Sequence, residues 1–151
     1  MKINSAAVIG TGFIGTVHVE SIRRTGVQVK GVLAGNTQST QAGAKKLLVD
    51  KAYESLDQIC DDKDVSVVHV TSPNALHYEQ VKQLLTAGKH VVCEKPLALS
   101  AKEGSELVEL AKKTGLVNAT CFNTRFYPMV HEAKHLISTN LIGAPRYVKG
   151  H

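Results

Sequence analysis

The sequence predicts an α/β fold, a doubly wound parallel sheet with helices on both faces. Two observations carry that reading. Strand-like and helix-like runs alternate along the whole of the 151 residues, as parallel strands joined by helical crossovers require. The apolar run ending in Val8-Ile9 leads straight into Gly10-Thr11-Gly12-Phe13-Ile14-Gly15, three glycines spaced G-x-G-x-x-G ahead of a helix. In that Rossmann-type turn the first glycine lets the chain leave the strand sharply. The second keeps side-chain bulk away from a pyrophosphate, and the third lets the helix pack closely on the sheet.

The elements follow in order. A first strand is expected over residues 2–9, a helix over 13–25 closed by Gly26, and a second strand over 27–34. A helix over 39–48, a short strand over 51–53 and a brief helix through Leu56, Ile59 and Cys60 come next. Residues 65–70, Val-Ser-Val-Val-His-Val, are too continuously apolar for a strand with one wet face. After Pro73 a helix runs to residue 87, with Asn74 as its cap and Gly88 at its end. Residues 90–93 form a fifth strand, and Ser100-Ala101-Lys102-Glu103 reads as a capping box for a helix that Gly115 stops. A sixth strand over 116–122, a helix over 128–138, a turn at Gly143-Ala144-Pro145 and a strand beginning at Arg146-Tyr147-Val148-Lys149 complete the chain.

Composition excludes several classes. At 43% hydrophobic and 21% charged residues the chain is an ordinary globular one. It holds no apolar run near the roughly 20 residues that span a bilayer, and no leader-like start. A cytoplasmic address without membrane partners is expected. The net charge of +5 is spread over scattered lysines such as Lys45, Lys82 and Lys112, with no basic run interleaved with aromatics, so nucleic acid is not an expected partner. Cys60, Cys93 and Cys121 are odd in number and lie in or beside apolar runs, which suits buried reduced thiols better than disulfides, a zinc site or a nucleophile.

Candidate site residues cluster where strands end. Beyond Gly10 to Gly15, the turn Ala34-Gly35-Asn36-Thr37 stands where an acid normally binds the adenosine ribose hydroxyls. It has neither that acid nor the arginine that accommodates a 2′-phosphate, so NAD and NADP both stay open; Asn36, Thr37 and Ser39 could bond a hydroxyl or a phosphate. Thr71-Ser72-Pro73-Asn74 leaves the fourth strand at its carboxyl end, where such sheets bind ligands, and His77 follows in the first helical turn. Cys93-Glu94-Lys95-Pro96 puts an ammonium directly after a buried strand, with Pro96 restraining Lys95 to extended geometry. There Lys95 could hydrogen-bond a reacting oxygen and stabilise developing charge, or relay a proton if partly buried. His131-Glu132-Ala133-Lys134-His135 matches the zinc-protease spacing H-E-x-x-H. No carboxylate follows Glu132 to act as third ligand and only His151 remains downstream, so no metal is assigned.

Taken in order, four segments resemble the N-terminal half of the glucose-fructose oxidoreductase, inositol dehydrogenase and MocA family. They are the glycine turn, Thr71-Ser72-Pro73-Asn74 with His77, Glu94-Lys95-Pro96, and Asn123-Thr124-Arg125-Phe126-Tyr127-Pro128. The resemblance implies an NAD(P)-binding Rossmann domain over residues 1–142. It also implies an oxidoreductase that moves hydride between nicotinamide and a sugar, cyclitol or related hydroxyl or ketone. By position, catalysis falls to Lys95, and cofactor contacts to Gly10, Thr11, Gly12, Phe13, Ile14, Gly15, Ala34, Gly35, Asn36, Thr71, Ser72, Pro73, Asn74, His77, Glu94, Lys95, Asn123 and Arg125. Family members continue into a second α/β substrate domain, so residues 143–151 are expected to be its start. Cofactor binding with little turnover, and a homo-oligomeric parent enzyme, follow as expectations. The alternative is a stand-alone dinucleotide-binding sensor or interaction module without catalysis.

Overall fold

The computed structural model describes residues 5–149. Six parallel strands form one sheet: β1 (Ser5–Ile9), β2 (Gln28–Leu33), β3 (Lys51–Ala52), β4 (Val67–Val70), β5 (His90–Glu94) and β6 (Asn118–Cys121), in the order β3-β2-β1-β4-β5-β6. The order reverses between β1 and β4, which pair directly from Ala6 with Val67 to Ile9 with Val70. A crevice opens outside the carboxyl ends of strands at such a point.

The helices are α1 (Phe13–Arg24), α2 (Thr37–Leu47), α3 (Leu56–Asp61), α4 (His77–Thr86), α5 (Ala101–Thr114) and α6 (Pro128–Ser138). Strand β1 shows why both sheet faces need cover. Ala6 and Val8 join one core layer with Val19, Ile22, Ala44 and Leu47 of α1 and α2. Ala7 and Ile9 join the other with Ile59, Val81, Leu84 and Leu107 of α3, α4 and α5. Every β1 side chain is buried, and each large aliphatic burial of this kind contributes about 1.5–3 kcal/mol.

Local chemistry sets the helix ends. Asn36 and Ser39 close a capping box on α2, as Ser100 and Glu103 do on α5, and Gly115 ends α5 with φ +66°. Two expectations fail. Asn74 makes no cap: Asn74–Leu76 form a 3-10 turn behind Pro73, no side-chain cap bond is made there, and the α-helix starts only at His77. Residues 146–149 form no strand, because no described strand pairs with them. The expected first strand reaches back to Lys2, Ile3 and Asn4, and His151 lies at the other end; these four are outside the described residues.

The chain divides into two compact units between Cys121 and Phe122. The first holds the whole sheet with α1 to α5; the second holds α6 and the segment around it. No described helix is long and apolar enough to cross a membrane.

Candidate functional site

The glycine turn is shaped by three separate constraints. Gly10 has φ +97°, and a Cβ there would lie 2.5 Å from the Thr71 carbonyl oxygen. A Cβ on Gly15 would lie 1.9 Å from the Gly10 oxygen, so α1 can start this close to β1 only with glycine at both places. Gly12 differs, since a Cβ there meets nothing within 4 Å. The fold does not need that glycine, but anything approaching the backbone from outside does.

Around this turn lies a cavity of about 600 Å³ lined by Gly10 through Ile14, by Ala34, Gly35 and Ser39, and by Thr71, Ser72 and Pro73. These loops leave β1, β2 and β4 at their carboxyl ends. The Thr71 hydroxyl donates to the carbonyls of Ile9 (2.9 Å) and Gly10 (3.0 Å), fixing the two loops to one another. Helix α1 carries no side-chain cap and no acid in its first turn. Its leading amides therefore have no intrahelical acceptor, and its positive dipole end is unopposed. That is the electrostatic setting for a pyrophosphate.

The turn after β2 is held by its own side chains. The Ala34 N–H donates to Thr40 Oγ1 at 2.9 Å, and that hydroxyl donates to the Asn36 carbonyl at 2.8 Å. Asn36 Oδ1 accepts the Ser39 N–H at 2.8 Å as the cap of α2. Of the expected contacts in this turn, Ala34 and Gly35 line the cavity and Asn36 does not.

His77 is fully buried. Its ring nitrogens lie 2.7 Å from the Pro96 carbonyl and 2.8 Å from the Ser72 carbonyl. It therefore clamps the loop after β4 to the loop after β5 and offers no surface to a ligand, which corrects the expectation of a cofactor contact. Asn74 is exposed outside the cavity lining. Lys95 is exposed, and its ammonium has no hydrogen-bond or ion-pair partner among the described residues. The burial that a proton relay needs is not supplied here, whereas donation to a substrate oxygen needs none. Asn123 and Arg125 lie in the second unit, exposed on the 3-10 turn Asn123–Phe126.

Sequence reasoning missed a polar chain beside Lys95. His18 of α1 approaches Glu94 Oε1 through Nε2 at 3.1 Å, and its Nδ1 lies 2.8 Å from His69 Nδ1. Burial, and then the charge of His18, bring His69 down to about 4. Burial alone would raise Glu94, but hydrogen bonds from His18, Cys121 and the Lys95 N–H hold it below the usual carboxylate range. The one available signal was spacing: His18 follows Gly15 by three residues, so it shares the inner face of α1 with Gly15, Val19 and Ile22.

The cysteines are all free, but only Cys93 is buried, which narrows the expectation of buried thiols. Burial, helped by the nearby Glu94 charge, pushes Cys93 up to about 12. Cys60 and Cys121 are raised by burial first as well. None is a ready nucleophile.

The oxidoreductase family with an NAD-binding Rossmann fold, described by the glucose-fructose oxidoreductase, inositol dehydrogenase and MocA enzymes, matches residues 5–121. Among curated relatives, trans-1,2-dihydrobenzene-1,2-diol dehydrogenase of Bos taurus is 33% identical over 97% of this chain and 43% of its own length. Myo-inositol 2-dehydrogenase of Thermotoga maritima is 32% identical over 94% and 43%. Among solved structures, levoglucosan dehydrogenase in complex with NADH and levoglucosan superposes with a TM-score of 0.86 at 30% identity, over 93% of this chain and 40% of that one. An NAD-binding oxidoreductase from Klebsiella pneumoniae gives 0.87 at 31%, over 95% and 41%. The chain thus spans about two fifths of the length of the proteins it matches.

Proposed function

Because the chain belongs to the glucose-fructose oxidoreductase, inositol dehydrogenase and MocA family of NAD-binding oxidoreductases, we propose that it binds NAD(H) or NADP(H) at the glycine turn and forms the nicotinamide side of a dehydrogenase site. The substrate class is a sugar, cyclitol or related hydroxyl, or the matching ketone. The observation that carries the reading is Gly12: it faces open space, at the start of an uncapped helix, on the rim of a cavity of the right chemistry.

The residues fit the group. The amides at the start of α1 would take the pyrophosphate, Ala34 and Gly35 would lie along the adenosine ribose, and Thr71 to Pro73 would run beside the dinucleotide. The bound nicotinamide supplies the hydride chemistry. Lys95 supplies a donor for the substrate oxygen, stabilising charge that develops there during transfer. The loop bearing Lys95 is fixed by His77 on Pro96 and by Glu94, which accepts the Lys95 N–H at 3.2 Å. Substrate alignment can contribute on the order of 7–11 kcal/mol to such reactions, and the relatives of which this chain spans 43% are more than twice as long. These 151 residues therefore bind nucleotide and turn substrate over slowly.

Calorimetric titration with NADH checks the reading. One nucleotide per chain is expected, with roughly a hundredfold loss of affinity in Gly12→Val, equivalent to about 2.7 kcal/mol, and an unchanged unfolding temperature. Equal binding by both proteins would place the nucleotide elsewhere.

A further inference from the structure

Within the first unit, three elements distant in sequence bring together an imidazole, a carboxylate and a thiol. His18 comes from α1, Glu94 from the end of β5 and Cys121 from the end of β6, and their donor atoms all lie within 4.8 Å of one another. We propose that His18, Glu94 and Cys121 form a binding site for a zinc-class divalent cation, with His69 as the outer partner of His18.

The donor set selects the ion. Thiolate with imidazole and one carboxylate oxygen suits Zn²⁺ rather than the all-oxygen shells of Ca²⁺ or Mg²⁺. The spacing suits it too. Bonds of about 2.0 Å to nitrogen and oxygen and 2.3 Å to sulfur, at tetrahedral angles, separate the donors by about 3.3–3.5 Å. His18 Nε2 and Glu94 Oε1 stand 3.1 Å apart, so seating the ion needs only a small expansion. His18 is buried, while Glu94 and Cys121 are partly exposed, which leaves an entry path. Three protein ligands leave a fourth position for water.

His69 is the second, independent observation. A metal-bound histidine donates its other ring N–H to a fixed acceptor, which sets tautomer and ring orientation. His18 Nδ1 already faces His69 Nδ1 at 2.8 Å. Without metal, His18 Nε2–H and the Cys121 thiol both donate to Glu94. With metal bound, the proton on His18 moves to Nδ1 and is accepted by His69 Nδ1, whose own proton moves to Nε2. The Cys121 thiol proton leaves to solvent. One proton is released per cation, and no oxidant or reductant is involved. The exposed His131-Glu132-Ala133-Lys134-His135 segment of α6 is not among the described groups with this geometry.

The experiment uses the reduced, tag-free chain titrated with Co²⁺ followed optically and with Zn²⁺ by calorimetry. One equivalent should bind, with a thiolate-to-cobalt charge-transfer band and release of about one proton in buffers of differing ionisation enthalpy. Cys121→Ser should abolish the band, and His69→Gln should keep it while weakening affinity roughly ten- to a hundredfold. In the unmutated chain, Zn²⁺ should protect Cys121 from alkylation, a readout that does not depend on any variant folding. No band and no protection at roughly millimolar metal, millimolar being the weakest affinity of interest, would overturn the site. So would a band that survives Cys121→Ser, or one lost instead in a His131→Gln, His135→Gln double variant.

Discussion

The two ends of the one sheet are built on different principles. At the end where the strands start, cross-links dominate. Asp62 takes hydrogen bonds from Lys30 and Lys51 (both 2.8 Å) and from the Tyr53 hydroxyl (2.9 Å), and buried Lys89 donates to the carbonyls of Asp62 (2.7 Å) and Val65 (2.9 Å). At the end where the strands finish, the glycine turn and the loop after β4 leave a cavity and an uncapped helix start. Polar side chains at the first end satisfy one another; at the second they brace the loops, and the leading amides of α1 stay open to a ligand. Stability and binding can therefore be removed separately, and the variants that do so test the division.

Gly15→Val is expected to have the largest effect, because it lies at the carboxyl end yet belongs to the scaffold. Its Cβ would sit 1.9 Å from the backbone oxygen of Gly10, where neither partner is a flexible side chain. Overpacking against fixed backbone costs about 3 kcal/mol or more. Chemical denaturation should show loss of most of the stability, with nucleotide binding lost only as a consequence. A Gly15→Val chain as stable as the parent would mean that α1 does not start as closely on β1 as described.

Asp62→Asn probes the other end. Replacing the carboxylate removes the charge that Lys30, Lys51 and Tyr53 share, a loss of about 2 kcal/mol, while NADH affinity stays within about twofold. Burial alone would raise the Asp62 carboxyl, but the three side-chain hydrogen bonds and the Asp64 N–H hold it far below the usual carboxylate range. The folded value lies below the unfolded one. The contribution is therefore complete above about pH 5 and is lost as pH falls below about 4. Urea melts of parent and variant should differ by a constant amount near neutrality and converge in acid. A gap that widened in acid would contradict the sign.

How much of this was legible in the sequence follows from the range of the interactions. The glycine turn, the Ser100 capping box and the Gly115 stop are encoded within a few residues, and each appears where the sequence places it. Asn74 misleads because a cap depends on where the helix begins, and the 3-10 turn behind Pro73 moves that point to His77. Residues 146–149 have strand-like chemistry, but no described strand pairs with them. His18 and Glu94, 76 residues apart, meet only because the sheet order sets β1 and its helix beside β4 and β5. Lys30 reaches Asp62 from a register shift, where Ala6 pairs with Val29 but Ala7 with Gly31. Gly31 in turn is required by Tyr53, whose ring would lie 2.2 Å from a Cβ there. The spacing of His18 from Gly15 places it on the inner face of α1, but no local spacing names a partner so far along the chain.

The smallest expected effect decides the cofactor. Ala34 lines the cavity at the end of β2, and the polar side chains of its turn are engaged with one another in capping α2. No carboxylate stands there to repel a 2′-phosphate, and no arginine to bind one. NADH and NADPH should therefore bind with affinities within about tenfold, 1.4 kcal/mol, of each other. Ala34→Asp adds the missing charge without disturbing the Ala34 N–H bond to Thr40, because that bond uses the backbone. At a separation of about 5 Å in a partly solvated site, repulsion of a phosphate by one carboxylate is about 1–3 kcal/mol. The variant should lose NADPH affinity about tenfold or more and keep NADH affinity or gain slightly, and raised ionic strength should narrow the difference. Equal loss of both nucleotides would mean that residue 34 acts by size rather than charge. Ala34→Asn, of the same shape and neutral, separates the two: it should leave the ratio of affinities where the parent has it.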